Sequence, residues 1–279
     1  MKILVTGANG MLAKAVRERF KNEELILTDV AELDITDLEA VKAFVTNCKP
    51  EVIINCAAYT AVDNAESDLE LARKINADGP RNLAIAANEN NSILVHISTD
   101  YVFGGDLSTD YTYNEDDEKS PVTVYGITKL EGEEAICQNT EKYFIFRTAW
   151  LYGDGNNFVR TMLKLGKERE EVSVVADQHG SPTYAVDLAD IIHQALEKKI
   201  PFGIYHTTNT GFTTWYGFTQ EIYKQAGISC KVKPVTSEEF VRPAKRPKNS
   251  KMSKDKILSE GITIPAWEDA LRRYLEIEL

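Results

Sequence analysis

The sequence predicts an α/β fold, in which a doubly wound parallel sheet is followed by a smaller C-terminal lobe. Short, nearly continuous apolar runs such as residues 51–57 are typical of parallel strands covered on both faces. These runs alternate with stretches of helical periodicity, and the first run leads directly into a glycine-rich turn. With 279 residues, the chain is long enough to bury a large core.

The net charge of −11 and the four scattered cysteines narrow the classes of function. An acidic chain does not favour nucleic acid or an anionic membrane surface, so we expect neither as a partner. Cys48, Cys56, Cys137 and Cys230 form no CxxC pair, which argues against a zinc site or a disulfide framework. We therefore expect a reduced, cytoplasmic protein, with no signal peptide and no membrane-spanning run.

The first predicted strand, residues 2–6, ends in the turn GANGMLA, after which helical periodicity begins. Glycine allows a diphosphate to approach the backbone at a helix N-terminus, where free N–H groups and the positive end of the helix dipole face the anion. The pattern predicts a dinucleotide site of the Rossmann type, with Gly7, Asn9, Gly10, Met11 and Leu12 as cofactor contacts. A purely structural turn is the alternative.

Asp29 ends the second predicted strand, 22 residues after Gly7. This spacing is typical of the acid that binds the adenosine ribose hydroxyls, although an aspartate that caps a strand end is also common. A carboxylate there disfavours a 2′-phosphate and no arginine follows it, so local electrostatics favour NADH over NADPH. Asp34 and Ile35 are candidates to flank the adenine.

Small residues follow the third predicted strand, in the segment NCAA at residues 55–58. They suit a backbone that runs close to a flat cofactor, and Ala57, Ala58 and Tyr59 are the candidate contacts. The next segment, residues 69–91, is predicted to form one long helix that contains Asn76. Spacing alone leaves open whether Asn76 is a polar residue on a buried helix face or belongs to the site.

The candidate reacting centre follows the strand at residues 93–98. Thr99 comes at the carboxyl end of that strand, the edge where open α/β sheets bind ligands. Beyond a polar loop at residues 104–121, Tyr125 and Lys129 are four apart at the start of a predicted helix and so share one face. An adjacent ammonium lowers the pKa of a phenol, which makes Tyr125 a candidate general acid.

The motifs occur in the order found in extended short-chain dehydrogenase/reductases that act on nucleotide-diphospho-sugars. STDYVF, RTAWLYG, DQHGSPT and RPKNS, at residues 98–103, 147–153, 177–183 and 246–250, resemble the dTDP-4-dehydrorhamnose reductases more closely. The resemblance covers nearly the whole chain. It implies NADH- or NADPH-dependent reduction of dTDP-4-dehydro-6-deoxy-L-mannose (dTDP-4-dehydro-L-rhamnose) to dTDP-L-rhamnose, for cell-surface polysaccharide synthesis.

By this resemblance, Tyr125 protonates the sugar 4-keto oxygen as hydride arrives from the nicotinamide. Lys129 holds the nicotinamide ribose and lowers the pKa of the tyrosine. Thr99 polarises the carbonyl, and Asn76 supports a proton relay to solvent. Donors would thus be aimed at the oxygen on which negative charge develops.

The second half of the chain carries the candidate substrate contacts. We expect a Rossmann domain at residues 1–150 and a substrate-binding part at residues 151–279, some segments of which fold back onto the sheet. The resemblance implies that Tyr101 and Trp150 line the sugar pocket. It also places Arg246 and Asn249 near the nucleotide, in the basic segment 242–256, which suits a diphosphate.

Three alternatives are weighed against a reductase. A dehydratase would carry an Asp-Glu pair after the threonine, but Asp100 is followed by Tyr101. An epimerase uses the same Tyr and Lys with a cofactor that is not consumed. A non-catalytic subunit, like the regulatory subunit of methionine adenosyltransferase, would not need to retain all three residues of the reacting centre. By resemblance alone, Mg2+ and a homodimer are possible.

Overall fold

The computed structural model describes all residues from 1 to 279 as alternating strands and helices. The twelve strands are β1 Lys2–Thr6, β2 Glu24–Thr28, β3 Val52–Asn55, β4 Ile93–Thr99, β5 Tyr143–Thr148, β6 Leu151–Tyr152, β7 Glu171–Val175, β8 His179–Gly180, β9 Thr183–Tyr184, β10 Gly203–His206, β11 Thr213–Thr214 and β12 Lys231–Val235. The eleven helices are α1 Met11–Arg19, α2 Leu38–Cys48, α3 Val62–Ala65, α4 Leu69–Arg73, α5 Gly79–Glu89, α6 Val124–Asn139, α7 Phe158–Glu168, α8 Ala185–Lys198, α9 Trp215–Ala226, α10 Asp255–Ser259 and α11 Trp267–Glu278.

Six strands form one parallel sheet in the order β2-β1-β3-β4-β5-β10. Side chains alternate between its two faces: Ile3 and Val5 join the core beneath α1 and α8, whereas Leu4 joins the core beneath α2 and α5. The chain changes direction across the sheet between β1 and β3. Open α/β sheets bind ligands at the carboxyl ends of the strands at such a point. The predicted α/β fold is therefore confirmed.

The C-terminal part divides between this sheet and a lobe of its own. Strand β10 extends the sheet and α8 packs against α1. A second core unites α7, α9 and α11 with the parallel pair β7 and β12. Side chains of α7, β7 and α9 in this lobe line a cavity that adjoins the cleft described below.

The segment predicted as one helix over residues 69–91 is interrupted by a π-helical turn, Lys74–Asp78, between α4 and α5. Helix α6 passes so close that a Cβ added to Gly132 would lie 2.1 Å from the Asn76 carbonyl oxygen. A π-turn inserts one extra residue in a helix and often occurs at functional sites. Periodicity indicated the helix but did not indicate the interruption.

Candidate active site

A cleft of about 470 Å³ opens at the carboxyl ends of the central strands of the sheet. Ten of the residues predicted from the sequence line it: Gly10, Met11, Leu12, Ala57, Ala58, Thr99, Tyr101, Tyr125, Lys129 and Trp150. They come from four separate βα connections, which the parallel topology brings to one edge.

The glycine turn after β1 leaves room for a ligand at the start of α1. Gly7 has φ +65°, and a Cβ there would lie 2.7 Å from the Ala57 backbone, so only glycine allows the two loops to approach. Gly10 precedes the first turn of α1 and no side chain caps that turn. The backbone N–H groups of this first turn are therefore available to an anion, such as the diphosphate of a dinucleotide.

Asp29 lies at the end of β2, where its carboxylate accepts hydrogen bonds from the backbone N–H groups of Asn9 (3.0 Å) and Val30 (2.8 Å). The Glu32 carboxylate accepts from the Asp29 backbone N–H at 2.9 Å, so two acidic side chains lie at this end of the site. This arrangement suits ribose hydroxyls and opposes a phosphate.

The two residues predicted to flank adenine are engaged elsewhere. The Asp34 carboxylate accepts from the Thr36 backbone and hydroxyl. Ile35 is buried in the core against Gly79, and its carbonyl accepts from Asn82. Neither lines the cleft: Asp34 is exposed and lines a separate surface pocket together with Val30 and Glu32, whereas Ile35 points into the core. Any adenine contact from this segment is therefore not made by the Ile35 side chain.

Tyr125 and Lys129 lie one turn apart on α6, which begins where the Thr123 hydroxyl accepts from the Gly126 N–H at 3.0 Å. Burial raises the pKa of the Tyr125 phenol to about 12, and a hydrogen bond with Thr99 opposes this shift. The sequence predicted that Lys129 would lower this pKa. Burial is instead the main cause of the shift, to which Lys129 does not contribute, and the phenol stays protonated at neutral pH.

Lys129 is buried beneath the cleft instead of projecting toward solvent. Its Nζ donates to the Ile97 carbonyl at 2.6 Å and lies 3.1 Å from His96 Nε2. Burial lowers the pKa of this lysine to about 8. The sequence pattern placed the lysine beside the tyrosine but offered no sign of the histidine.

Asn76 does not line the cleft. Its Oδ1 accepts from the Tyr59 N–H at 2.8 Å, and its Nδ2 donates to the Tyr59 carbonyl and to the Thr128 hydroxyl. The side chain is fully buried and holds the loop after β3 against α6. Asn76 is therefore a polar residue on a buried helix face that holds Tyr59 through its backbone, and the proton relay that the resemblance implies for it stays a prediction.

Asp100 also lines the cleft, although no sequence motif assigned it a role in a reductase. Its carboxylate accepts from the Thr99 hydroxyl at 2.9 Å and from the Ser250 hydroxyl at 2.6 Å. Burial raises the pKa of this carboxyl to about 6. Asp100 therefore orients Thr99 and connects it to the basic segment 242–256.

A second cavity of about 570 Å³ adjoins the cleft, and Tyr101 lines both. Its walls combine aromatic rings with three guanidinium groups: Tyr101, Phe158, Trp215, Phe240, Arg169, Arg242 and Arg246. Trp150, at φ +50°, stacks on Trp215 with ring centroids 3.8 Å apart. Flat apolar faces with nearby cations suit a pyrimidine base that carries a diphosphate.

The basic segment contributes unequally to this cavity. Arg246 lines it and is held by the Asp63 carboxylate. Asn249 does not line it, because its Nδ2 donates to the carbonyls of Ser108 and Tyr111 and so holds the polar loop at residues 104–121, here called the rim loop. These hydrogen bonds give Asn249 a structural role, and the contact with substrate that the resemblance implies stays a prediction.

Comparison with known proteins shows relatives that match along the whole chain. The family model described as "RmlD substrate binding domain" matches residues 1–279. A dTDP-4-dehydrorhamnose reductase from Streptomyces griseus is 42% identical over 278 residues, covering 96% of this chain and 91% of that protein. The chain belongs to the dTDP-4-dehydrorhamnose reductase family.

Solved structures of this reductase family have the same fold. The enzyme from Clostridium acetobutylicum is 48% identical with a TM-score of 0.95, covering 100% of this chain and 99% of that one. The enzyme from Bacillus anthracis, solved in complex with NADP, is 44% identical with a TM-score of 0.94 and full coverage of both chains. The resemblance seen in the motifs is confirmed.

Two further features of this reductase family member concern metals and membranes. No three His, Cys, Asp or Glu side chains of the chain converge in a group that could hold a metal ion. None of its helices combines the length and apolar character needed to cross a membrane.

Proposed function

We propose that the protein reduces the 4-keto group of dTDP-4-dehydro-6-deoxy-L-mannose to give dTDP-L-rhamnose, with NADH or NADPH as reductant, in the synthesis of cell-surface polysaccharide. The observation that carries this proposal is the position of Tyr101. Tyr101 lines two adjoining spaces. One is the cleft, which contains Tyr125 and a helix start suited to a diphosphate, and the other is the cavity lined by aromatic rings and arginines. A sugar nucleotide in the cavity would present its sugar to the cleft.

The residues that would hold the cofactor are the backbone N–H groups at the start of α1, for the diphosphate, and Asp29, for the adenosine ribose. Lys129 would hold the nicotinamide ribose. The cofactor supplies the hydride. Tyr125, protonated at neutral pH, then donates its phenolic proton to the oxygen of the reduced carbonyl. The Thr99 hydroxyl, which donates to Asp100 in the structure, would turn from that carboxylate to the oxygen on which negative charge develops.

Purified protein mixed with the dTDP-4-keto sugar and each reduced cofactor in turn tests this function. A reductase consumes one reduced nicotinamide for each sugar alcohol formed, measured by absorbance and by chromatography of the product. An epimerase would change the sugar with no net loss of absorbance. A regulatory subunit would show no turnover at all.

Cofactor preference follows from the two acidic side chains near the ribose. We expect kcat/KM for NADH to exceed that for NADPH by about tenfold, because Asp29 and Glu32 repel a 2′-phosphate. A tenfold ratio corresponds to about 1.4 kcal/mol. Asp29→Asn should lower the ratio of kcat/KM for NADH to kcat/KM for NADPH, because it removes one of these two negative charges. Lys21→Gln, on the exposed surface beyond α1, is the control. An equal NADH-to-NADPH ratio of kcat/KM in Asp29→Asn and wild type would contradict the proposed contact between Asp29 and the adenosine ribose.

Arg246 is the arginine that we assign to the substrate diphosphate. Arg246→Gln should raise the KM for the sugar nucleotide by about 10- to 100-fold, because a charge-assisted hydrogen bond contributes about 1.5–3 kcal/mol. The control Lys245→Gln removes one positive charge from the neighbouring residue, which is exposed and does not line the second cavity. Equal KM changes in the two variants would indicate general steering and not a contact at Arg246.

Location and assembly belong to the same proposal. All four cysteines are free in the structure, which supports a reducing compartment such as the cytoplasm. The homodimer and the lack of a nucleic-acid partner remain predictions of the resemblance and of the net charge. Analytical ultracentrifugation of the purified protein tests the assembly.

A further inference from the structure

A chain of hydrogen bonds connects Lys129 to the backbone of Ala57 through two buried side chains. The Asn55 amide and the His96 imidazole lie between them, at paired positions on the adjacent strands β3 and β4. Both residues are 1% exposed. The mechanism proposed above uses Lys129 but assigns no role to the histidine beneath it.

The direction of these hydrogen bonds follows from the backbone. The Ala57 N–H can only donate, and it donates to Asn55 Oδ1 at 3.1 Å. The other polar atom of the Asn55 amide is then Nδ2, which donates to His96 Nδ1 at 3.0 Å. Because Nδ1 accepts, the proton of the neutral imidazole is on Nε2. The Thr6 hydroxyl donates to the same Asn55 oxygen at 2.7 Å and supports this orientation.

The His96 Nε2–H therefore faces Lys129 Nζ, 3.1 Å away. An ammonium has three donors and no acceptor, so it would meet this N–H donor to donor, whereas a neutral amine has a lone pair to receive it. The amine can still donate to the Ile97 carbonyl at 2.6 Å. The arrangement discriminates between the two protonation states of the lysine.

We propose that His96 is a positioning residue that disfavours the ammonium form of Lys129 in the cofactor-free protein, so that cofactor binding is accompanied by proton uptake at Lys129. The inference rests on the proposed function, because it requires a dinucleotide in the cleft. Ribose hydroxyl oxygens accept hydrogen bonds from an ammonium, and a diphosphate adds negative charge. Both favour the charged lysine once the cofactor is bound.

The other ionisable groups around Lys129 do not offset this effect. Glu133, on the same helix, raises the pKa of Lys129, but its carboxylate is paired with Arg147. Tyr125 stays protonated, and so does Cys56 on the β3 side, because burial raises the pKa of each to about 12. The Asp100 carboxylate, in the turn that packs on α6, is engaged by two hydroxyls.

The pKa of the lysine sets the pH range in which uptake is measurable. It is lowered by burial from 10.5 to about 8 in the free protein. If cofactor binding restores the ordinary value, about 0.1 proton is taken up at pH 7 and about 0.9 at pH 9. Titration calorimetry of wild-type protein with NADH, in buffers of different ionisation enthalpy, measures this number directly.

His96→Gln tests the role of the histidine, because a glutamine amide can turn its oxygen toward an ammonium. Proton uptake at pH 9 should fall to less than about half of the wild-type value. His193→Gln changes a histidine on α8, remote from the cleft, and should keep the full uptake. Uptake that is independent of pH, or equal in His96→Gln and wild type, would overturn the inference.

A second measurement does not depend on any variant. The ¹H–¹⁵N correlations of the imidazole in wild-type protein identify its tautomer, and we expect the proton of His96 on Nε2. A proton on Nδ1 would overturn the inference. Cofactor binding without proton uptake refutes this inference alone, whereas no binding of NADH or NADPH refutes the proposed function itself.

Discussion

Tyr125→Phe should lower kcat for ketone reduction by about a thousandfold while leaving the cofactor Kd within about twofold, because general acid catalysis contributes about 10²- to 10⁴-fold. The substitution removes only the phenolic oxygen, and the ring keeps its edge-to-face contact with Tyr101, whose centroid is 5.4 Å away. Single-turnover kinetics with saturating cofactor measure the chemical step, and fluorescence titration with NADH measures binding.

The matched control for that variant is Tyr216→Phe. The Tyr216 hydroxyl accepts from Gln220 at 2.8 Å and lines neither cavity, so its loss should leave kcat unchanged. Reduction by Tyr125→Phe at the wild-type rate would mean that another group, such as Thr99, delivers the proton.

Arg147→Met should lower the free energy of unfolding by about 3–5 kcal/mol, because it leaves a buried carboxylate without its partner. Arg147 is fully buried and donates from Nε and Nη2 to Glu133 at 2.9 and 2.7 Å. The Ser98 hydroxyl donates to the same carboxylate at 2.5 Å, so strands β4 and β5 are both tied to α6. Urea denaturation followed by circular dichroism measures the change.

Two comparisons separate burial from charge in that experiment. Arg73→Met breaks an ion pair of similar geometry, Arg73 to Glu131 at 2.8 Å, whose side chains are 45% and 34% exposed. It should cost less than about 1 kcal/mol. The double variant Glu133→Leu with Arg147→Met should recover much of the loss, because no buried charge remains. An equal cost for the Arg73 and Arg147 variants would contradict the explanation.

Local patterns predicted the parts of the site that are built from consecutive residues. The turn from Gly7 to Leu12 and the pair Tyr125 and Lys129 each depend on neighbours within about one turn of chain, so spacing alone placed them on the correct element. Parallel strands bring the ends of β1, β3, β4 and β5 to one edge, which explains why separate motifs line one cleft.

Contacts between distant segments were not predictable in the same way. Asn76 and Asn249 carry amide side chains of the kind that bind ligands, but Tyr59 and the rim loop already occupy their hydrogen-bonding groups. Trp215 and Arg169 line the second cavity although no motif surrounds them. Nothing near Lys129 in the sequence indicated His96, which reaches it from another strand. A polar side chain in sequence does not reveal which partner it will meet.

The amino-acid sequence by itself determined the parallel sheet, the glycine turn at its edge and the order of the motifs, because each depends on periodicity and short spacing. Only the tertiary structure decided the protonation environment of Tyr125 and Lys129. Burial shifts both pKa values, and burial is produced by segments far apart in the chain. The same packing decided which polar residues face the cleft and which are used to hold its walls.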